Sequence, residues 1–469
     1  MTFSKVMAFS LGPIVAAFLG LLTVPLMAWV FIPDVIGKIA MLNTFLAGCT
    51  LVFTLGLDQA YVREFHETED KPILLGTLAL PSLFITLLFS ALILFFHEFI
   101  ALTLFSEIEH TLYIVGLVSI AVFTSLVFRF SSLILRMNEY GFKFSLIQII
   151  PKLTLLILIL SFLASNKASD FTIALSFSLF ATLASVILAI FFTRKEWYLA
   201  SLRKIDPNIL IGALKFGSPL ILSGFAFWGL ISVDKLAIRY YSGLEQLGLY
   251  SIAFSFAAVM AIFQKVFSTI WAPIVYRWHK ENIKIEQFNL ITDWIVMVLT
   301  TTFFIVVIIS PLLLYLLPST YVSVINLLPA CMLFPIFYTI SETTVVGLNI
   351  SRKTSYSIII TLLPLALNIL LSVLLVPKFG AGAAAVSVAL AFFLYLILRT
   401  EASRLLWKPF PVYKIYIVSL LLIINASWPA ITQNSLPWWV SLSSFVAISI
   451  MYKKRYSNIS TDYRKLKNA

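Results

Sequence analysis

The chain has 469 residues, of which 61% are hydrophobic and 12% charged, and it carries a net charge of +12. Soluble domains are typically about 25% charged, so a water-soluble fold is excluded. Apolar runs of about 20 residues, each long enough to cross about 30 Å of hydrocarbon, recur from end to end. The composition predicts an all-α, polytopic membrane protein.

In chain order, the predicted spans are 6–32, 37–62, 72–96, 111–135, 142–164, 170–193, 215–241, 248–276, 288–317, 322–349, 355–376, 382–405, 413–431 and 436–452, fourteen in all. The first has one Lys before it and is too long for a signal h-region, so it reads as a retained span. The loops are short on both faces. The longest polar interval, Thr193 to Lys215, divides the first six spans from the next six. The organisation expected is therefore a six-helix bundle over 1–193, a linker over 194–214, a second bundle over 215–405, and two additional helices with a basic tail over 406–469. Parallel repeats of this kind suggest two bundles around a central cavity.

Lys and Arg test the topology. In alternate loops, twenty-five fall on one side and four (Lys38, Lys167, Arg239 and Lys378) on the other, leaving four within spans. By the positive-inside rule the rich side is cytoplasmic, and both termini lie there. This asymmetry accounts for most of the basic charge without a nucleic-acid partner. The tail segment Lys453-Lys454-Arg455 is expected to rest against anionic headgroups.

Other chemistry is sparse. Cys49 and Cys331 each sit in an apolar run, as small hydrophobes, and form no metal cluster or disulfide framework. His66, His97, His110 and His279 lie at loops or span ends and form no cluster. No Gly-x-x-x-x-Gly-Lys-Ser/Thr loop is present, which argues against direct ATP drive. The outer loops leave no room for a catalytic domain, so an enzyme such as a polymerase or ligase is not expected, and no cofactor is implied. An exporter of cationic drugs would need a cavity dominated by acids, whereas bases dominate within these spans.

The segments joining spans one to two (Ile32-Pro-Asp-Val-Ile-Gly-Lys) and seven to eight (Gly243-Leu-Glu-Gln-Leu-Gly-Leu-Tyr) are alike, and Gly37 and Gly248 are expected to permit a tight reversal there. Val233-Asp-Lys-Leu-Ala-Ile, followed by Gly243-Leu-Glu-Gln-Leu-Gly-Leu-Tyr-Ser-Ile-Ala-Phe254, resembles an element of the polysaccharide transporters of the multidrug/oligosaccharidyl-lipid/polysaccharide exporter superfamily. Asn368 through Pro377-Lys-Phe-Gly-Ala-Gly-Ala-Ala-Ala385 resembles that family's junction between spans eleven and twelve. Phe53-Thr-Leu-Gly-Leu-Asp-Gln-Ala-Tyr-Val-Arg63 is similar to the end of its second span. Within the family the chain is most similar to O-antigen flippases (Wzx type); a flippase for another polyprenyl-linked glycan, such as lipid II or a capsular repeat unit, is the alternative. The resemblance implies two six-helix bundles with a cavity open to one side at a time. It also implies a substrate, an oligosaccharide on undecaprenyl diphosphate, turned to the outer face during lipopolysaccharide biosynthesis, and polysaccharide assembly proteins as partners. The final two spans depart from the family, many of whose members stop at twelve.

The physics of that task predicts a cationic, wet path. Each unbonded hydroxyl costs about 4–8 kcal/mol in hydrocarbon, and a diphosphate costs far more. Four bases within spans are the candidates: Lys265, Lys152, Arg129 and Lys235. At 1.5 Å per residue, Lys265 lies about 18 Å below Arg277, Lys152 about 13 Å below Lys143 and Arg129 about 10 Å below Arg136. Each also has a structural reading. Lys235 and Arg129 can snorkel to an interface, Lys152 has Gln148 one turn before it, and Lys265 can pair with Glu342. The acids Glu342, Asp234 and Asp58 are candidates for ion coupling, since a desolvated carboxyl can take up a proton; the alternative for each is a helix–helix contact. Asp234 and Lys235, about 100° apart on a helix, are not expected to pair with each other. Neutralising Lys265 or Lys152 is expected to abolish surface glycan display at unchanged protein level.

Overall fold

The computed structural model describes residues 3–164, 170–281, 283–351, 355–434, 436–453 and 455. Lys167, Arg352, Lys353, Lys454 and the three bases after residue 460 lie outside them. The chain forms two compact units, residues 1–228 and 229–469.

The first unit contains α1 (Phe3–Val30), α2 (Pro33–Phe53), α3 (Leu57–Glu64), α4 (Lys71–Phe95), α5 (His97–Phe105), α6 (Thr111–Met137), α7 (Gly141–Leu163), α8 (Phe171–Ser201) and most of α9 (Pro207–Leu230). Helix α6 packs against α2, α4 and α8, and α7 packs against α1 and α8. The second unit contains α10 (Val233–Tyr241), α11 (Gly243–Lys280), α12 (Ile285–Ile309), α13 (Leu313–Leu316), α14 (Val324–Thr344), α15 (Val346–Ser351), α16 (Ser355–Leu406), α17 (Tyr413–Thr432) and α18 (Trp438–Met451). Its centre is α14, which packs against α11, α12, α16 and α17.

Among the described residues, twelve helices are long and apolar enough to cross a membrane, and Trp438–Met451 is a shorter apolar helix. One of the twelve is two helices joined at Gly380 (φ 58, ψ −141), a conformation that L side chains rarely adopt. That joint sits in the Pro377-to-Ala385 segment where spans eleven and twelve were expected to meet. Counting its two halves separately and adding the shorter helix gives fourteen apolar segments, as hydropathy predicts. The chain is a multi-pass, all-helical membrane protein.

Local details differ from the sequence reading. The second predicted span breaks at Thr54–Gly56 and the seventh at Ile231–Ser232, each continuing as a short helix, α3 or α10. Gly37 and Gly248 are buried inside α2 and α11 rather than at a reversal. The chain turns instead at Phe31–Ile32, ahead of Pro33, and at Gly243 (φ 86). Most of the interval from Thr193 to Lys215 is helical, because α8 continues to Ser201 and α9 begins at Pro207.

Loops expected on one side of the membrane meet one another. In the first unit Arg203 pairs with Asp70 at 3.1 Å, joining two Lys/Arg-rich loops. Lys38 pairs with both Asp34 (2.7 Å) and Glu107 (2.8 Å), joining two poor ones. In the second unit Arg455, after the last helix, pairs with Asp293 at 2.9 Å near the start of α12. The last two helices are packed into that unit: α17 lies against α14 and α16, where a Cβ on Gly382 would run into the Ala430 carbonyl, and α18 lies against α12 and α17.

Candidate functional site

The break after α2 builds the site in the first unit. Leu55 (φ 52) and Gly56 (φ 68) are consecutive residues in the left-handed region. Left-handed backbone is strained for leucine and free for glycine. At Gly56 the chain also touches Gly217 of α9, where a Cβ would fall 2.6 Å from the carbonyl oxygen. Beyond the break, Leu57, Ala60, Tyr61 and Phe65 bury themselves against α4, α6 and α9. This packing fixes α3 and aims its second residue, Asp58, at α6.

Asp58 Oδ2 accepts from Arg129 Nη2 at 2.6 Å and Nε at 3.0 Å, and from Gln59 Nε2 at 3.3 Å. The Asp58 side chain is 8% exposed and that of Arg129 37% exposed. The pair is therefore buried on the acid side and open on the base side. A guanidinium carries five N–H donors, so two bonds to one oxygen leave others for a second anion.

Arg129 faces two cavities that share it and Thr50. One, of about 420 Å³, lies among α2, α6, α7 and α8 and is lined by Ser125, Ser132, Arg136, Gln148, Thr182 and apolar side chains. The other, of about 520 Å³, lies between α2–α3 and α9 and is lined by Thr54, Asp58, Gln59 and Gly224. Thr50 and Ser125 hydroxyls lie 3.0 Å apart one turn from Arg129. A cation beside a row of hydroxyls and an amide can hold phosphate and sugar oxygens together.

The other candidates are dispersed. Lys152 on α7 and Lys265 on α11 are exposed and line none of the cavities described. Lys235 on α10 donates to the carbonyl of Ile231 in the break before that helix (3.1 Å) and stands 5.0 Å over the Phe254 ring of α11. Asp234 points elsewhere. It is 1% exposed, accepts a short bond from the Tyr250 hydroxyl, and leaves Oδ1 without a hydrogen-bond partner among the described residues.

Glu342 pairs with Arg399 at 2.7 Å, not with Lys265. Arg399 lies within α16, in the predicted span 382–405. Its Nη1 also donates to the Ser341 hydroxyl at 2.7 Å. The Tyr338 and Tyr395 rings stack at 5.9 Å and flank the guanidinium at 5.5 and 5.2 Å. The overlooked signal is a spacing: Tyr338–Glu342 and Tyr395–Arg399 are both i, i+4 pairs, which share a helix face. Among the described residues no group of His, Cys, Asp and Glu could hold a metal ion, and both cysteines are buried and free.

Fold and site together define a polytopic helical membrane protein with a hollow inside one helical unit, in which an arginine and several hydroxyls stand among apolar side chains. The chain belongs to the polysaccharide biosynthesis protein family, whose sequence pattern matches residues 3–279, more than half its length. No curated protein sequence matches it. Its fold is that of the multidrug/oligosaccharidyl-lipid/polysaccharide exporter superfamily. The lipid II flippase MurJ in an inward closed conformation aligns with a TM-score of 0.70 at 17% identity, over 95% of this chain and 99% of that one. A multidrug resistance MATE family transporter in its inward-facing conformation aligns with a TM-score of 0.60 at 13% identity, over 86% and 97%. A transporter of the superfamily from Pyrococcus furiosus aligns with a TM-score of 0.52 at 14% identity, over 85% and 93%.

Proposed function

We propose that the protein is a flippase that carries an oligosaccharide unit on undecaprenyl diphosphate, of O-antigen type, from the cytoplasmic to the outer face of the bacterial inner membrane. Both termini lie in the cytoplasm in this reading, and transport proceeds by alternate exposure of the site to the two faces. The observation that carries it is Arg129, held on its buried side by Asp58 and open on the other to two cavities lined with hydroxyls and amides. The guanidinium would take the diphosphate, and Ser125, Ser132, Gln148 and Thr182 would replace water around the sugars. The lipid tail would stay in the bilayer, so only the headgroup needs a polar route. Membership of the polysaccharide biosynthesis family and the fold shared with a lipid II flippase support this over drug export and over catalysis.

Lys152, Lys235 and Lys265 remain proposed cationic contacts for the headgroup. Of the three acids proposed for ion coupling, Asp58 and Glu342 each hold an arginine, whereas Asp234 has no ion-pair partner among the described residues. A buried carboxylate without a cation is costly, so Asp234 is the acid best suited to carry an exchangeable proton or sodium ion. Capsular repeat units and lipid II present the same diphosphate. Deleting the gene and identifying the lipid-linked glycan that accumulates inside the cell separates them. Accumulation of no lipid-linked glycan would refute the proposal.

A further inference from the structure

The cavity of about 420 Å³ in the first unit is lined by a second arginine besides Arg129. Arg136 falls just beyond the predicted span 111–135, but α6 continues to Met137, so Arg136 stands on its last turn. Ser125, Arg129, Ser132 and Arg136 follow one another at helical spacing, which sets them on one face of α6, and all four line this cavity. Side chains on a helix lean toward its N-terminus. Arg136 therefore reaches back into the hollow rather than out past the helix end, from a Cα about 10 Å along the axis from that of Arg129. The two bases differ in their surroundings. Arg129 is partly neutralised by Asp58, which lines the neighbouring cavity and not this one. Arg136 is exposed, and among the described residues the ion pairs of the first unit engage Lys38, Arg63, Arg129 and Arg203 and leave it out. No Asp or Glu lines this cavity among the described residues.

We propose that Arg136 is the residue that selects a diphosphate over a monophosphate, the two arginines holding one phosphate each of the same headgroup. The inference rests on the reading of Arg129 as a phosphate contact. A guanidinium grips phosphate oxygens through paired N–H donors. One arginine alone is satisfied by one phosphate and does little to tell a monophosphate from a diphosphate. A second arginine on the same face gains a partner only when a second phosphate is present. With no carboxylate in the lining to supply that partner, the anion must come from the ligand. A prenyl-linked sugar carried on a single phosphate would occupy Arg129 and leave Arg136 unengaged.

The test titrates the full chain, purified in detergent, with farnesyl diphosphate and farnesyl monophosphate, and follows binding by thermophoresis. Wild-type protein is expected to bind the diphosphate about tenfold more tightly. Arg136→Gln should bring that ratio to within about twofold by weakening the diphosphate alone. Arg194→Gln, an exposed base on α8 outside the cavity, should keep the wild-type ratio, and Arg129→Gln should weaken both probes. A role for Arg136 confined to the carbonyls of its own helix end would lower the unfolding temperature of Arg136→Gln and leave the ratio unmoved. That result, an equal loss of both probes in Arg136→Gln, an equal fall of the ratio in Arg194→Gln, or a wild-type ratio near one would each overturn the proposal while the reading of Arg129 stands. Undiminished binding of both probes in Arg129→Gln would overturn that reading and the proposal with it.

Discussion

Asp58 and Arg129, 71 residues apart in the chain, meet through a single carboxylate oxygen. The acid is the buried partner and the base the open one. An incoming phosphate would meet the N–H donors that Asp58 leaves open, on a guanidinium whose charge Asp58 already partly neutralises. Binding of a short-chain prenyl diphosphate to the purified protein, followed by thermophoresis, should weaken by at least about tenfold in Arg129→Gln. In Asp58→Asn it should strengthen several-fold, since the guanidinium's charge is no longer partly neutralised. Loss of binding in both variants would make the pair a structural unit rather than a binding site.

The Glu342–Arg399 pair should be structural. Both side chains are nearly buried, at 15% and 12% exposure, and the rings of Tyr338 and Tyr395 flank the guanidinium. Glu342→Ala strands a buried cation and should cost about 3 kcal/mol. The double variant Glu342→Ala/Arg399→Met removes both charges and should recover most of that loss. Thermal unfolding in detergent measures both.

At Asp234, burial, the Tyr250 bond and an oxygen without a hydrogen-bond partner among the described residues lead to a transport prediction. In reconstituted vesicles, Asp234→Asn should make flipping insensitive to an imposed proton or sodium gradient, while Asp58→Asn and Glu342→Gln keep their response. A gradient response retained in Asp234→Asn would remove that residue from coupling.

Gly382 seats α17 on α16. With the Ala430 carbonyl occupying the place a Cβ would take, Gly382→Ala must push the helices apart. An overpacked contact costs about 1–3 kcal/mol. Gly116→Ala, with nothing within 4 Å of the added carbon, should be neutral or stabilising by up to about 1 kcal/mol. Unfolding midpoints of the two variants make the comparison.

Much of this architecture is legible in the sequence because a bilayer imposes length and polarity on every span. Fourteen apolar segments and the pairing of same-side loops follow from those constraints alone. The helix breaks are not legible: Leu55 adopts a left-handed backbone in the middle of an apolar run, next to the close approach of Gly56 to Gly217. Arg399 lies near the end of an apolar run, where a cation reads as facing the adjacent loop. Its partner is 57 residues earlier in the chain, a distance at which local pattern carries no information. Asp58 and Arg129 were each singled out for charge in oil, but nothing in either segment announced that they would meet. The short elements Leu57-Asp58 through Arg63 and Val233-Asp234 through Arg239 follow one local pattern, each starting just after a helix break. One acid there acquires an arginine and the other a tyrosine, a difference decided by which helix packs alongside.

The most direct test of the central claim is a flipping assay with purified protein in vesicles. Lipid-linked oligosaccharide is placed on one leaflet and detected on the other by an impermeant lectin. Wild-type protein should translocate the glycan, and Arg129→Gln, folded and inserted at equal amount, should do so at least about tenfold more slowly. Equal rates for the two proteins would contradict the account.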